Sequence, residues 1–288
     1  MKKNKRYDSQ YFVAAGISLL LLTAVFQLSA RTLPGFGTWY AHHIYPWIVE
    51  GVGRLTGLLP FSVAEMGLYG LLCLLFLDVV RLSAALIRPE TAKALTVIGR
   101  RCLLIVGTLL FLYTVNCGIN YYASSFSSYA GLEDGTYTEE ELEALCSDLV
   151  ELVNESAKSG RQFYRENRSA WRAEAVTAMQ AAGEQFSCLG GFYPKPKEVL
   201  VSQILSVQQL CGVYSPFTVE ANYNGDMPDY NVPHTLCHEL SHLKGFMRED
   251  EANFIGYLAC ISSENEAFRY SGYLTGWVYA GNALARAD

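Results

Sequence analysis

Three long apolar stretches in the first half of the chain constrain its fold more than any other feature of the sequence. Residues 12–30 and 102–123 contain no charged side chain, and residues 66–87 contain only Asp78 and Arg81. A helix that crosses a bilayer needs about 20 consecutive, mostly apolar residues. Asp78 and Arg81 are three positions apart, so they can pair on one helix face. The sequence therefore predicts three transmembrane helices, with the lipid bilayer as a partner.

The distribution of lysine and arginine predicts the orientation of these helices. The first stretch is too long for the apolar core of a cleaved signal peptide, which favours an anchor. Basic residues in short loops stay on the cytoplasmic side. They are concentrated at the N-terminus and between the second and third stretches: Lys2, Lys3, Lys5, Arg6, Arg88, Lys93, Arg100 and Arg101. We expect a multi-pass protein of the cell membrane, with its N-terminus in the cytoplasm and residues 124–288 outside.

The net charge and the cysteine content argue against two classes of function, nucleic-acid binding and a zinc site built from cysteines. The net charge is -6 and no basic stripe is present, which argues against nucleic acid as a partner. The eight cysteines include no CxxC pair, so a cysteine zinc site is not favoured. A disulfide can form if these cysteines lie outside the cytoplasm, and the sequence does not assign its pairing.

Residues 124–288 have the pattern of a mainly helical domain with one or two strands. Thr138 and Glu141 form a capping box that predicts a helix to about Ala157, and a second helix is predicted from about Arg165 to Phe186. Residues 199–205 fit either a helix or a strand. Residues 212–224 are rich in β-branched and aromatic residues, and the proline inside them is tolerated in an edge strand. The predicted fold class is mainly α: a three-helix transmembrane region, residues 1–123, followed by a zincin-like α+β domain, residues 124–288.

The sequence His238-Glu239-Leu240-Ser241-His242 carries the chemistry of this domain. On a helix, His238 and His242 lie on one face about 6 Å apart, a separation that one zinc ion can bridge. Glu239 follows the first histidine, which lets its carboxylate act on a zinc-bound water without binding the metal. This is the HExxH arrangement of metal-assisted hydrolysis, with one Zn²⁺ per chain.

A catalytic zinc ion needs a third protein ligand and an open position. Gly245 can end the histidine helix, and a second helical pattern follows it directly. Glu249 is the preferred third ligand and Glu251 is the alternative. Asn253, four residues after Glu249, could orient a ligand by a hydrogen bond. His234 continues the four-residue spacing and is a possible fourth ligand, although a surface position beside Pro233 is the more common reading.

These residues resemble those of a known protein family. Residues 238–246, 248–254 and 214–222, with the three apolar stretches, are similar to an uncharacterised family of bacterial membrane proteins that has an HExxH motif. Glu249 with Ala252-Asn253 is distantly similar to the ExxA(D/N) element of CaaX-prenyl-protease-like membrane gluzincins, whose last position is commonly Asp. The resemblance implies a zincin-like site and no particular substrate.

The sequence thus favours a membrane-anchored zinc metallopeptidase that hydrolyses peptide bonds with a zinc-bound water. Glu239 is the expected general base, a peptide or protein is the expected substrate, and Tyr214 or Tyr223 could bind substrate or donate to the oxyanion. One alternative is a non-catalytic membrane scaffold or sensor with a structural zinc. Another is a zinc amidase that acts on substrates of the cell envelope.

Overall fold

The computed structural model describes residues 2–87, 91–132, 135–158 and 168–287, with side chains from residue 10 onward. These residues are mainly helical and include one small sheet. Their α-helices are α1 (Lys2–Thr32), α2 (Phe36–His43), α3 (Tyr45–Ile48), α4 (Arg54–Gly57), α5 (Val63–Leu86), α6 (Thr91–Tyr113), α7 (Phe126–Ala130), α8 (Glu139–Ala157), α9 (Arg168–Gln185), α10 (Ser202–Val207), α11 (Val232–Leu243), α12 (Glu249–Ile261) and α13 (Glu266–Ala287). The strands are β1 (Lys197–Glu198), β2 (Gly212–Ser215) and β3 (Glu220–Tyr223).

The chain divides into two compact units. The N-terminal unit comprises Met1–Tyr45 and Val63–Ala123, and the C-terminal unit comprises Pro46–Ser62 and Ser124–Asp288. Residues 46–62, which the predicted division at residue 123 assigned to the transmembrane region, therefore pack with the C-terminal residues. Two contacts explain this: Lys197 Nζ donates a hydrogen bond to Thr56 O (2.7 Å), and the Arg54 guanidinium lies 4.2 Å from the ring centroid of Phe192.

The N-terminal unit contains the apolar helices predicted from the sequence. Three helices of the described residues are long and apolar enough to cross a membrane: Gln10–Thr32, Val63–Leu86 and Thr91–Tyr122. The three predicted apolar helices are confirmed, and the third begins at Thr91, earlier than predicted, so Arg100 and Arg101 lie inside it. The basic residue Arg88, used for the orientation, lies outside the described residues.

Helices α1 and α6 pack closely in the N-terminal unit because two glycines meet at their crossing. A Cβ atom at Gly107 would lie 2.8 Å from Gly16 O, so only glycine allows the two backbones to approach this closely. Asp78 of α5 contacts Arg81, 3.7 Å away on the same helix, and also forms an ion pair with Arg101 of α6. The carboxylate thus links α5 to α6, beyond the expected pair within one helix.

The helices of the C-terminal unit agree with the local sequence signals. Thr138 and Glu141 form the predicted capping box at the start of α8, with hydrogen bonds of 2.9 and 3.2 Å. Helix α9 corresponds to the predicted helix 165–186, of which residues 165–167 lie outside the described residues. Residues 199–205, which fitted either a helix or a strand, contain the start of α10.

The sheet differs from the single edge strand predicted for residues 212–224. This segment is a hairpin in which β2 and β3 are antiparallel, with Tyr214 opposite Ala221. Pro216 lies in the turn between the strands, where a residue without an N–H group breaks no hydrogen bond of the ladder. β1 pairs with β3 in parallel, so the order is β1-β3-β2 and β2 is an edge strand.

Helix α11 lies at the centre of the C-terminal unit, in contact with β2, β3, α9, α12 and α13. Its apolar residues Leu236, Leu240 and Leu243 have no exposed surface. Helix α13 packs against α8 through Leu142, Leu149 and Ala280. The HExxH sequence is therefore on a buried helix that neighbouring elements hold in place.

Candidate metal centre

His238 and His242 lie side by side on α11, as their spacing of four residues requires. Their ring centroids are 4.6 Å apart and the rings are perpendicular, at 89°. His242 Nδ1 is 2.8 Å from Phe246 O, and since a carbonyl oxygen only accepts hydrogen bonds, Nδ1 carries the proton. The lone pair of neutral His242 is then on Nε2, the atom that faces His238 and Glu249.

The turn after α11 places the carbonyl group that orients His242. Gly245 has a φ of 107°, a conformation that favours glycine, and Phe246 N donates to Ser241 O at 3.2 Å. This turn brings Phe246 O under the imidazole of His242. It also reverses the chain, so that α12 begins at Glu249 beside the two histidines.

Glu249 completes a group of three possible metal ligands. Its Oε2 lies 3.3 Å from His238 Nε2, and its Oε1 lies 3.5 Å from His242 Nε2. One ligand atom from each residue lies within 4.8 Å of the other two. When the imidazoles of His238 and His242 are protonated at Nε2, they donate to Glu249 and hold the pKa of its carboxyl well below its ordinary value; in neutral His242 the Nε2 lone pair takes the place of this donor. The side chain of Glu249 is 76% exposed, so the group is accessible from this side.

Helix α12 is fixed against α11 by His234 and Gly256. A Cβ atom at Gly256 would lie 3.2 Å from His238 N and from His234 Nε2, so a larger residue would push the helices apart. His234 Nε2 donates to Asn253 O at 3.1 Å. Burial and then the charge of His238 lower the pKa of His234 to about 4, which keeps it neutral. His234 therefore positions α12, and its Nε2 atom is already committed to a carbonyl group.

Glu239 lies under the group of ligands and is almost fully buried, with 3% of its surface exposed. Burial raises the pKa of its carboxyl to about 7, against the effect of His238 and His242, whose charges lower it. The backbone N–H of Tyr214 on β2 donates a hydrogen bond to this carboxylate. The Glu239 atom Oε2 has no hydrogen-bond partner among the described residues. A buried acceptor of this kind is costly in a purely structural position.

The structure gives the remaining predicted residues other partners. Glu251 Oε1 accepts a hydrogen bond from Phe126 N at 3.0 Å, so the alternative third ligand is directed to α7 and not to the histidines. Asn253 contributes its carbonyl to His234, and its side chain lies near Tyr279. The Tyr223 hydroxyl donates to Glu198 Oε2 at 2.9 Å in a buried position, which removes it as an oxyanion donor. Tyr214 contacts the site through its backbone, and its side chain is buried.

Sequence reasoning missed Gly212, the residue that makes room for Glu239. A Cβ atom at position 212 would lie 2.7 Å from Cγ of Glu239. No local pattern identifies this residue, because the contact joins β2 to α11. The proximity of Tyr279 to Asn253 was missed for the same reason.

The candidate metal centre lies within a segment that matches a known protein family. Residues 40–288 match the model of a family described as a protein of unknown function (DUF3810). The chain belongs to this family. The match covers the candidate metal centre and most of the chain, and it confirms the predicted membership of an uncharacterised family. No curated protein and no solved structure matches the DUF3810 chain significantly. The distant similarity to CaaX-prenyl-protease-like gluzincins stays a prediction.

Proposed function

We propose that this DUF3810 protein is a membrane-anchored, zinc-dependent metallopeptidase. His238, His242 and Glu249 would hold the metal and Glu239 would act as the general base. The observation that carries the proposal is the convergence of two imidazole nitrogens and one carboxylate above a buried glutamate that has an unpartnered oxygen. Two histidines and a glutamate are a common ligand set of catalytic zinc sites, which keep one position open.

The residues of the site fit a zinc ion by their chemistry. His242 is held in the tautomer whose Nε2 can bind a metal, and the hydrogen bond to Phe246 O is the kind of support that zinc-binding histidines have. The Glu249 carboxylate remains ionised at neutral pH because its pKa is lowered. A zinc ion bound here would polarise the scissile carbonyl and make a water molecule more acidic.

Glu239 is suited to move a proton in both directions. Its raised pKa, about 7, is close to neutral pH, where a general base and acid works best. The carboxylate can accept a proton from the attacking water and donate it to the leaving amine. The hydrogen bond from Tyr214 N–H fixes one side of the carboxylate. The unpartnered Oε2 is the atom that remains for the water.

The position of the edge strand β2 is an argument for a peptide as the substrate. Asn224 N donates to Cys211 O, and hydrogen-bonded pairs alternate along an antiparallel ladder. The backbone groups of Gly212 and Tyr214 therefore face away from β3, toward the outer edge, where Glu239 lies. An extended peptide added along this edge would place its backbone beside Glu239.

The membrane assignment is part of the proposal. The three apolar helices anchor the chain, and the excess of basic residues at the N-terminus and between the second and third apolar stretches favours a C-terminal unit outside the cytoplasm. The substrates would then be peptides or proteins of the cell envelope.

Metal analysis of matched histidine variants tests the proposal. We expect about one zinc per chain in the purified full-length protein and none in the His238→Ala, His242→Ala double variant. The His42→Ala, His43→Ala double variant removes two histidines outside the site and should retain the zinc. Absence of zinc from the wild type after reconstitution would refute the proposal.

A second variant tests catalysis apart from metal binding. Glu239→Gln keeps the volume of the side chain and removes the base, so we expect full zinc content with peptide hydrolysis lowered by at least 10²-fold. Hydrolysis is measured with a peptide library and, in parallel, with cell-wall amides. Zinc without any hydrolysis in the wild type would indicate a structural metal, and cleavage of cell-wall amides alone would indicate an amidase.

A further inference from the structure

A large apolar cleft lies beside the candidate metal centre, between α8, α12 and α13. Its volume is about 820 Å³, within the range of cavities that bind drug-sized ligands. Its lining is mostly apolar and includes Leu142, Leu145 and Leu149 of α8 with Phe254 and Tyr257 of α12. A cleft of this size and polarity is suited to side chains or hydrocarbon.

The cleft and the metal centre share helix α12. Asp250 and Asn253, which line it, are one and four residues after Glu249 on the same helix. Tyr279 of α13 also lines the cleft, beside Asn253. Asn253 is about one helical turn from Glu249, so a ligand in the cleft would lie one turn of α12 from a metal ligand.

The charged residues that line the cleft indicate which kind of apolar ligand it favours. The charged residues that line it are Glu141 and Asp250, and no lysine or arginine of the described residues is among them. A fatty acid or an anionic phospholipid head group would be repelled at this position. A neutral or basic group is favoured.

We infer that this cleft is a substrate-binding site for large apolar side chains of a peptide that carries a basic residue next to them. The inference rests on the proposed function and specifies its substrate class. The apolar side chains occupy the space between the leucines of α8 and the aromatic rings of α12. The basic residue lies near Asp250 and Glu141, and the peptide backbone continues past Asn253 to the metal centre.

Peptide binding to the full-length Glu239→Gln protein in phosphatidylcholine nanodiscs tests this inference without turnover. The probes are three dansyl-labelled peptides, Leu-Phe-Leu-Lys, Ser-Asn-Ser-Lys and Leu-Phe-Leu-Glu, measured by fluorescence anisotropy, with oleate as a competitor. We expect Leu-Phe-Leu-Lys to bind at least tenfold more tightly than the other two, because it alone satisfies both the apolar lining and the acidic rim. Oleate should compete weakly.

A matched pair of variants locates the binding. Leu145 lines the cleft and is 46% exposed, whereas Val150 is 40% exposed on the same helix and outside the lining. Leu145→Gln should weaken binding of Leu-Phe-Leu-Lys about tenfold and Val150→Gln should leave it unchanged. Equal effects of the two variants, equal binding of the three peptides, or displacement by oleate at lower concentration than by peptide would overturn the inference. Zinc content is measured on the same samples after reconstitution, so a protein that binds the peptide but holds no zinc would refute the metallopeptidase and leave the cleft assignment standing.

Discussion

Gly212 on β2 lies directly against Glu239 on α11. A Cβ atom at position 212 would be 2.7 Å from Cγ and 2.8 Å from Cδ of Glu239, closer than real Cβ contacts allow. Glu239 is almost fully buried, so it has little space in which to move away. The position of its carboxylate therefore depends on the absence of a side chain at residue 212.

We predict that Gly212→Ala lowers peptide hydrolysis by about 10²-fold while zinc content stays near one per chain. The reason is that a displacement of about 1 Å in a catalytic group can cost this much, whereas the metal ligands are on other residues. Gly281→Ala is the matched control, since a Cβ atom there meets no atom within 4 Å. Unchanged turnover in Gly212→Ala would mean that the carboxylate position is not critical.

Of the three acidic residues in the first turn of α12, Glu249 and Glu251 should differ in their effect on metal binding. Glu249 faces both histidines, whereas Glu251 accepts a hydrogen bond from Phe126 N. We predict that Glu249→Ala lowers zinc affinity by more than 10²-fold, because it removes a ligand, and that Glu251→Ala changes it by less than tenfold. Competition with a chromogenic chelator measures both affinities. The reverse order would assign the third ligand to Glu251.

The parts of the fold that depend on local sequence could be predicted. Uncharged stretches indicate the three apolar helices, and the pair Thr138 and Glu141 indicates the start of α8, because each signal is contained within a few residues. The hairpin was not predicted. Its turn, residues 216–219, has no Asn-Gly or Asp-Gly signal of a two-residue hairpin loop. The pairing of Lys197 in β1 with Asn222 in β3 joins separate segments of the chain, so no local pattern encodes it.

The candidate site also has one part that local sequence predicts and another that depends on how two helices pack. The proximity of His238 and His242 follows from helical spacing. Whether Glu249 or Glu251 turns toward them depends on how α12 docks on α11, which is set by the contact of Gly256 with His238 and His234. The spacing of residues along the chain does not reveal how α12 is rotated about its axis. The sequence alone therefore could not decide whether Glu249 or Glu251 is the third ligand.

A buried ion pair between residues of β1 and β3 provides a test of stability. Lys197 Nζ pairs with Glu220, and the side chains are only 3% and 2% exposed. Lys197→Met leaves the buried Glu220 carboxylate without this cation, which should cost about 3–5 kcal/mol. For a unit of this size the melting temperature of the full-length protein in detergent should fall by roughly 10 °C.

The double variant separates the cost of a lone buried charge from the loss of the pair. Lys197→Met with Glu220→Leu removes both charges, and such replacements are often neutral. We expect it to recover most of the melting temperature that Lys197→Met loses. A double variant no more stable than the single one would indicate that Lys197 acts mainly through its hydrogen bond to Thr56 O.

Cys211 reports on which side of the membrane the C-terminal unit lies. It is exposed and directly precedes Gly212, whereas Cys237 on α11 is buried in the same unit. In intact bacterial cells that express the full-length chain, we expect a membrane-impermeant maleimide to modify Cys211 and to leave Cys237 unmodified, as measured by mass spectrometry of the digested protein. The reaction should be slower than for an ordinary thiol, because burial and the charge of Glu239 raise the pKa of Cys211 and only the thiolate reacts. Modification of Cys211 only after the cells are permeabilised would place the unit in the cytoplasm. It would contradict the orientation inferred from the basic residues at the N-terminus and between the second and third apolar stretches, without changing the geometry of the metal centre.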